Sequence, residues 1–161
     1  MTDRLAAVEL ADVFHAHLSP EAQQEQQIAI FDLVEDNAFK PAAFPGQGPF
    51  KLKLNEHEGK LVFEIAPVEG DNKPYFLLIS FNSFRTPLAE YFDICTVYND
   101  AIHTASAARI ESIDMARRVV HNDVAELLRE RLDGKIETDL NTARRLITLL
   151  FALYLGRKDE L

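Results

Sequence analysis

The chain holds one cysteine, Cys95, and no tryptophan in 161 residues. A single thiol can form neither an intramolecular disulfide nor a cysteine-based zinc centre, so the fold must stand on packing. A chain of this length buries about 70% of its unfolded surface and can do so. Long apolar runs are also missing. The longest, residues 146–155, is interrupted by Thr148 and reaches only half of the roughly 20 residues that span a bilayer. The first ten residues carry charge and lack the apolar stretch of a secretory signal. With the lone cysteine, this points to a reducing cytoplasmic setting away from membranes. Basic excess is absent too. Net charge is −9, and residues 1–102 hold all of it, with 7 Lys and Arg against 16 Asp and Glu; residues 103–161 balance at 10 each. The acidic half would repel a phosphate backbone, which argues against nucleic-acid binding. No P-loop, nucleophile elbow, zinc-protease or kinase signature occurs. Gly46-Gln47-Gly48 is too short and too closely flanked by prolines for a dinucleotide loop. Nothing calls for a metal or a cofactor.

What is present reads as one α+β domain over residues 1–161. Leu5, Val8 and Leu10 suggest a short first strand, although Ala6 and Ala7 blur its alternation. Ser19-Pro20 marks a helix start, with a side-chain cap and a proline where no N–H is needed. Ile28, Phe31, Leu33 and Val34 follow at helical spacing, ending near Asn37. Residues 41–49, with three prolines and two glycines, read as a loop. Residues 50–54, 61–65 and 75–81 then alternate as strands, separated by the turns Glu58-Gly59 and Glu69-Gly70-Asp71-Asn72. The expected sheet is an antiparallel meander of three strands, or four if residues 4–10 join an edge.

From Thr86 the apolar period changes from two to 3.6. Leu88, Tyr91, Phe92, Cys95, Tyr98 and Ile102 form one stripe. Ile110, Ile113, Ala116, Val120, Val124, Leu127 and Leu128 form the inward side of a second helix, stopped at Gly134. Asp139 caps a last helix whose apolar face is broad enough to bury against both the domain and a partner subunit. These helices make a C-terminal layer over the sheet, with one further helix at the N-terminal side.

Chemistry concentrates on two of these helices. Asp114, Arg117, Arg118 and His121 lie at i, i+3, i+4 and i+7, on one helical face, with Glu111 one turn away. Paired arginines beside a histidine can grip a phosphate or carboxylate. The short connection at residues 134–138 sets the next helix antiparallel, bringing Arg144 and Arg145 toward the first pair. The same row also fits a solvated face laced with intrahelical ion pairs. His15 and His17 have a His-x-His spacing, but no further ligand pattern supports a metal site, and a solvated loop explains them. Cys95, among Tyr91, Phe92 and Tyr98, fits a small buried hydrophobe better than a nucleophile activated by His103.

Several ordered stretches carry a resemblance. They are Ile30-Phe31-Asp32-Leu33 with Glu35-Asp36-Asn37; Phe84-Arg85; and Tyr91-Phe92-x-Ile94-Cys95. Longer ones run from Ile110 through Asp114-Met115-Ala116-Arg117-Arg118 to His121-Asn122, and from Leu128 to Glu137. Thr142-Ala143-Arg144-Arg145-Leu146 is the last. Together, from about Ile28 to Leu150, the chain resembles the alphaproteobacterial uncharacterised protein family numbered two-six-two. Two positions depart: Ala116 where that family would have glycine, and Asp123 where it would have glutamate. The resemblance implies no reaction. It does put weight on Asp114, Arg117, Arg118, His121, Arg144 and Arg145.

The reading that follows is a cytoplasmic binding or regulatory domain, homodimeric, with Arg117, Arg118, His121, Arg144 and Arg145 facing an anionic small molecule or an acidic protein segment. An enzyme is the alternative, working on a small phosphorylated or carboxylated substrate with His121 as acid or base, oriented by Asp114 or Glu111. A purely structural interaction domain is the third.

Overall fold

A computed structural model describes residues 2–16 and 18–157. Strands β3 (Phe50–His57), β4 (Lys60–Pro67) and β5 (Tyr75–Ser80) form the expected antiparallel meander. Alternation decides which face is inside: Phe50, Leu52, Leu54, Leu61, Phe63 and Ile65 are fully buried, while Lys51, Lys53 and Glu64 lie on the other face. Strand β1 (Leu5–Leu10) does join the sheet, giving the order β1-β3-β4-β5. It runs parallel to β3, however, so the sheet is mixed rather than purely antiparallel. A parallel neighbour needs a long crossover, and helix α1 (Pro20–Glu35) supplies it. The blurred alternation at Ala6 and Ala7 has a structural cause: the register shifts between Leu5 and Ala7, which is a bulge that leaves Ala6 unpaired.

The α1 boundaries are built as the sequence suggests. Ser19 Oγ accepts from the Ala22 N–H at 3.1 Å, and Pro20 opens the helix. At the far end Asn37 ties the helix to β1. Its Oδ1 accepts from the Leu5 N–H at 2.7 Å, and its Nδ2 donates to the carbonyls of Leu5 (3.0 Å) and Leu33 (2.8 Å). Beyond it, part of the proline- and glycine-rich loop is in fact strand. Strand β2 (Phe39–Pro41) pairs antiparallel with β6 (Ile136–Thr138) as a separate two-stranded ribbon. Further along the same loop, a Cβ at Gly48 would lie 1.6 Å from the Thr2 carbonyl oxygen, so only glycine fits.

Helices α2 (Arg85–Thr104), α3 (Ala107–Leu132) and α4 (Leu140–Arg157) follow. Ser106 caps α3, accepting from the Arg109 N–H. Gly134, just past its end, takes φ +79°, a left-handed value that glycine tolerates best. Asp139 caps α4 through the Thr142 N–H at 2.8 Å. Helix α4 is the centre of the domain. Ala143, Leu146, Ile147, Leu149, Leu150, Leu153 and Tyr154 are all buried, against α1, α3 and the short turn at Asp12–Phe14. Its broad apolar face is therefore used within the chain. Helices α2 and α3, by contrast, outrun the core. Their inner halves bury Leu88, Tyr91, Val124 and Leu128, and their outer halves pack mainly on each other around Ala101 and Ile113. Ile102 and Ala116, expected inside, are exposed there, and Val120 is half-buried.

Candidate functional site

The residues of interest come from three helices that meet beside the core. Helix α3 presents Asp114, Arg117, Arg118 and His121. Helix α4 presents Arg144 and Arg145, and α2 presents Tyr91, Cys95 and Tyr98. Their arrangement divides into two parts with His121 between them.

The first part is an ionic cluster. Arg117 donates to Asp114 Oδ1 from Nε at 3.2 Å and from a terminal nitrogen at 2.5 Å. Arg118 reaches Oδ2 of the same carboxylate at 2.9 Å. The Arg117 hydrogen bond, aided by the nearby Arg118 charge, holds the Asp114 carboxyl below its ordinary range, so it stays ionised. Burial is the largest single influence on Arg117 and works to lower its pKa, but the Asp114 hydrogen bond together with the charge interactions with Tyr91, Asp114 and Cys95 outweighs it, and the net shift is upward. The guanidinium also lies over the Tyr98 ring, 4.7 Å from its centroid. Behind it the Tyr91 hydroxyl meets the Cys95 thiol and the Arg117 guanidinium. Burial pushes Tyr91 up to about 12 and raises Cys95 as well. At neutral pH Cys95 is thus a protonated thiol, not an activated nucleophile. His103 is exposed in the last turn of α2.

The second part is open. His121, Asn141, Arg144, Arg145 and Thr148 line a concavity of about 180 Å³ between α3 and α4. His121 Nε2 lies 3.0 Å from the Arg144 carbonyl. A carbonyl can only accept, so Nε2 carries the hydrogen and Nδ1 is the acceptor. Burial lowers the His121 pKa, the Arg144 carbonyl opposes this, and the Arg144 and Arg117 charges reinforce it. The ring is therefore neutral at pH 7, packed 5.0 Å from the Tyr91 ring. Arg145 donates to the Asp36 carbonyl, with the Asp36 carboxylate 3.9 Å away. Two buried polar atoms here find no partner among the described residues: Arg144 Nε and Asn122 Oδ1.

The five predicted ligand residues are thus neighbours but not equivalents. His121, Arg144 and Arg145 share the concavity, while Arg117 and Arg118 share the single carboxylate of Asp114, which leaves that trio with one net positive charge. Asp114 does not orient His121; the Arg144 backbone does. Glu111 is exposed one turn further out. Asn141 and Thr148 were not singled out from sequence, yet they sit three before and four after Arg144. The helical spacing that exposed the α3 row applies to them too. Elsewhere, His15 faces a fully exposed Asp12 at 3.5 Å, and His17 lies outside the described residues. No three His, Cys, Asp or Glu come together as a metal site among the described residues. A larger concavity, about 660 Å³, runs between the end of α3 and the ribbon. Its lining mixes Lys40 and Lys135 with Glu130, Asp133 and Glu137, and its one arginine, Arg129, is engaged by Glu126 and the Thr138 carbonyl.

The sequence profile of the uncharacterised protein family UPF0262 matches residues 2–156. The chain belongs to UPF0262. UPF0262 proteins from several bacteria align along almost their whole length. One from Methylobacterium radiotolerans is 46% identical, covering 94% of this chain and 93% of its own. One from Paracoccus denitrificans is 45% identical over 96% and 97%. One from Sphingopyxis alaskensis is 44% identical over 94% and 93%. No solved structure matches this UPF0262 chain. Among its described residues no helix is long and apolar enough to cross a membrane.

Proposed function

We propose that this UPF0262 protein is a cytoplasmic, homodimeric binding or regulatory domain that takes a small phosphorylated or carboxylated anion between α3 and α4. The observation that carries the reading is Arg144. Arg144 lines the concavity, its Nε is buried and lacks an acceptor, and a donor left unmatched away from water is costly. Arg145 and Asn141 add donors on the same wall. All three belong to the first two turns of α4, where the helix dipole favours negative charge. His121 holds the Arg144 backbone in place without adding a charge of its own. The volume suits one anionic group, whether a free metabolite or the side chain of an acidic partner segment.

Inorganic phosphate is the first probe, with chloride matched for ionic strength. Phosphate at about ten times its dissociation constant adds about 1.4 kcal/mol of stability, read as a rise in Tm. The rise should vanish in Arg144→Gln and shrink in Asn141→Ala while circular dichroism stays native. Arg118→Ala, whose guanidinium is paired with Asp114 outside the concavity, should keep it. A phosphate effect no larger than that of chloride, or one that survives Arg144→Gln, refutes the reading.

The same concavity supports a second reading, an enzyme acting on such an anion. His121 lines it in the neutral form, with one nitrogen fixed as donor and the other able to accept a proton. Turnover of a phosphate or carboxylate ester that is lost in His121→Asn, with phosphate binding retained, would favour this version.

A further inference from the structure

We propose that β5 is the edge through which two copies of this chain join, antiparallel about a two-fold axis at Leu77. Two four-stranded sheets then become one of eight. The proposal rests on the homodimeric part of the reading above and not on the anion site, so the two fail separately.

Strand edges are usually guarded by charge, proline or a bulge. At the opposite edge β1 has Glu9, its bulge and α1 beside it. Strand β5 has none of these. Tyr75-Phe76-Leu77-Leu78-Ile79-Ser80 carries no charge and keeps regular register with β4 throughout. Phe76 and Leu78 are 51% and 50% exposed on the face that the helices leave open.

The backbone fixes which groups are available. Phe81 N–H donates to the Gly59 carbonyl, which continues the β4–β5 ladder. In an antiparallel ladder hydrogen-bonded pairs alternate, so Tyr75, Leu77 and Ile79 bond to β4. Phe76 and Leu78 turn their N–H and C=O groups outward. Centred on Leu77, a second β5 sets Phe76 against the partner's Leu78, and Leu78 against the partner's Phe76. Each pair exchanges both backbone hydrogen bonds. Val62, beside Leu78 on β4, extends the apolar strip in both copies. The edge is self-complementary, as a two-fold interface requires.

Charge selects this surface over the others. Each copy carries −9, so two copies repel and meet best where acid is sparse. Several other exposed apolar residues sit among carboxylates: Phe31 beside Asp32 and Glu35, Val97 between Asp93 and Asp100, Met115 one turn from Glu111. Strand β5 itself is uncharged, and its β4 neighbours on that face, Lys60, Val62 and Glu64, balance in charge, with Glu64 beside Phe76. The register also sets each β4–β5 turn, with Glu69, Asp71 and Lys73, beside the partner's Lys60 and Arg85. An apolar centre with a complementary polar rim is the usual anatomy of a specific contact.

Light scattering during gel filtration should give twice the chain mass at tens of micromolar, and Leu78→Lys should give the monomer with unchanged circular dichroism. In a Cys95→Ser background, Leu77→Cys should form an intermolecular disulfide under mild oxidation. The symmetric non-hydrogen-bonded pair brings the two Cα atoms to about 4.5 Å, inside disulfide range. Glu9→Cys, on the opposite edge, should not cross-link. A monomeric wild type overturns the proposal, as does a dimer that withstands Leu78→Lys or one in which Leu77→Cys fails to cross-link. Phosphate titration of the Leu78→Lys monomer reads the anion site independently.

Discussion

Raising the pH above 10 should weaken this fold through one side chain, Tyr91. Its ring lies 5.0 Å from both the His121 and Phe151 rings and is only 9% exposed. Burial is the main reason that its hydroxyl ionises at about 12 instead of 10. The unfolded chain gives up this proton near pH 10 while the folded chain keeps it. Stability that is fully present below pH 10 is therefore lost as pH rises toward 12. At about pH 11 the loss is close to tenfold in the folding constant, about 1.4 kcal/mol, and it reaches about 2.7 kcal/mol once both values are passed. Urea unfolding at about pH 9 and about pH 11 measures it, with Tyr91→Phe as the reference. Phenylalanine cannot ionise, so wild type should lose about 1.4 kcal/mol more than the variant between those conditions. Any cost of removing the hydroxyl appears at both pH values and cancels. Equal losses in the two proteins would mean that Tyr91 is solvated, and the burial argument would fail.

His121 acts at the other end of the pH scale. Its folded pKa lies below the ordinary value of 6.5, so the unfolded chain binds a proton that the folded chain refuses. Stability should fall as pH drops below about 6.5, and thermal melts of His121→Gln should show a smaller fall than wild type. Asn37→Ala removes the clamp between α1 and β1 and strands the Leu5 N–H; a loss of about 2 kcal/mol in urea unfolding is expected, and a change below about 0.5 kcal/mol would show that water replaces the amide.

The parts of the fold that were legible are those written in local chemistry. Lys51 and Lys53 alternating with Phe50, Leu52 and Leu54 announce a half-buried strand whatever surrounds them. Ser19, Ser106 and Asp139 announce helix starts because a cap needs only its own next turn. Pairings between distant segments leave no such mark. The β2–β6 ribbon has three residues per strand, too few for a period, and one strand lies among prolines. The direction of β1 depends on its crossover and not on its own residues. The site was legible in the same measure. Spacing placed Asp114, Arg117, Arg118 and His121 on one face, and the short connection at residues 134–138 brought Arg144 alongside. What spacing alone left open was whether that row grips a ligand or pairs internally. Both occur: Asp114 pairs with Arg117 and Arg118, and α3 and α4 together bring His121, Arg144 and Arg145 to an opening.

The ribbon has a bearing on how the protein is made. Ala38 bonds to Thr142 across 104 residues, and β2 finds its partner only in β6. In the order of synthesis, α1 and β2 emerge about 100 residues before β6 and α4. Closing so long a loop adds little thermodynamic penalty, since each doubling of length costs only about 0.6 kcal/mol. It does impose a sequence of events. The meander and the α2–α3 hairpin can assemble while the N-terminal helix still waits, with Leu33 and Phe39 uncovered. A ribosome stalled before residue 136 would hold out this half-finished surface, and chaperones that recognise exposed apolar side chains would meet it there.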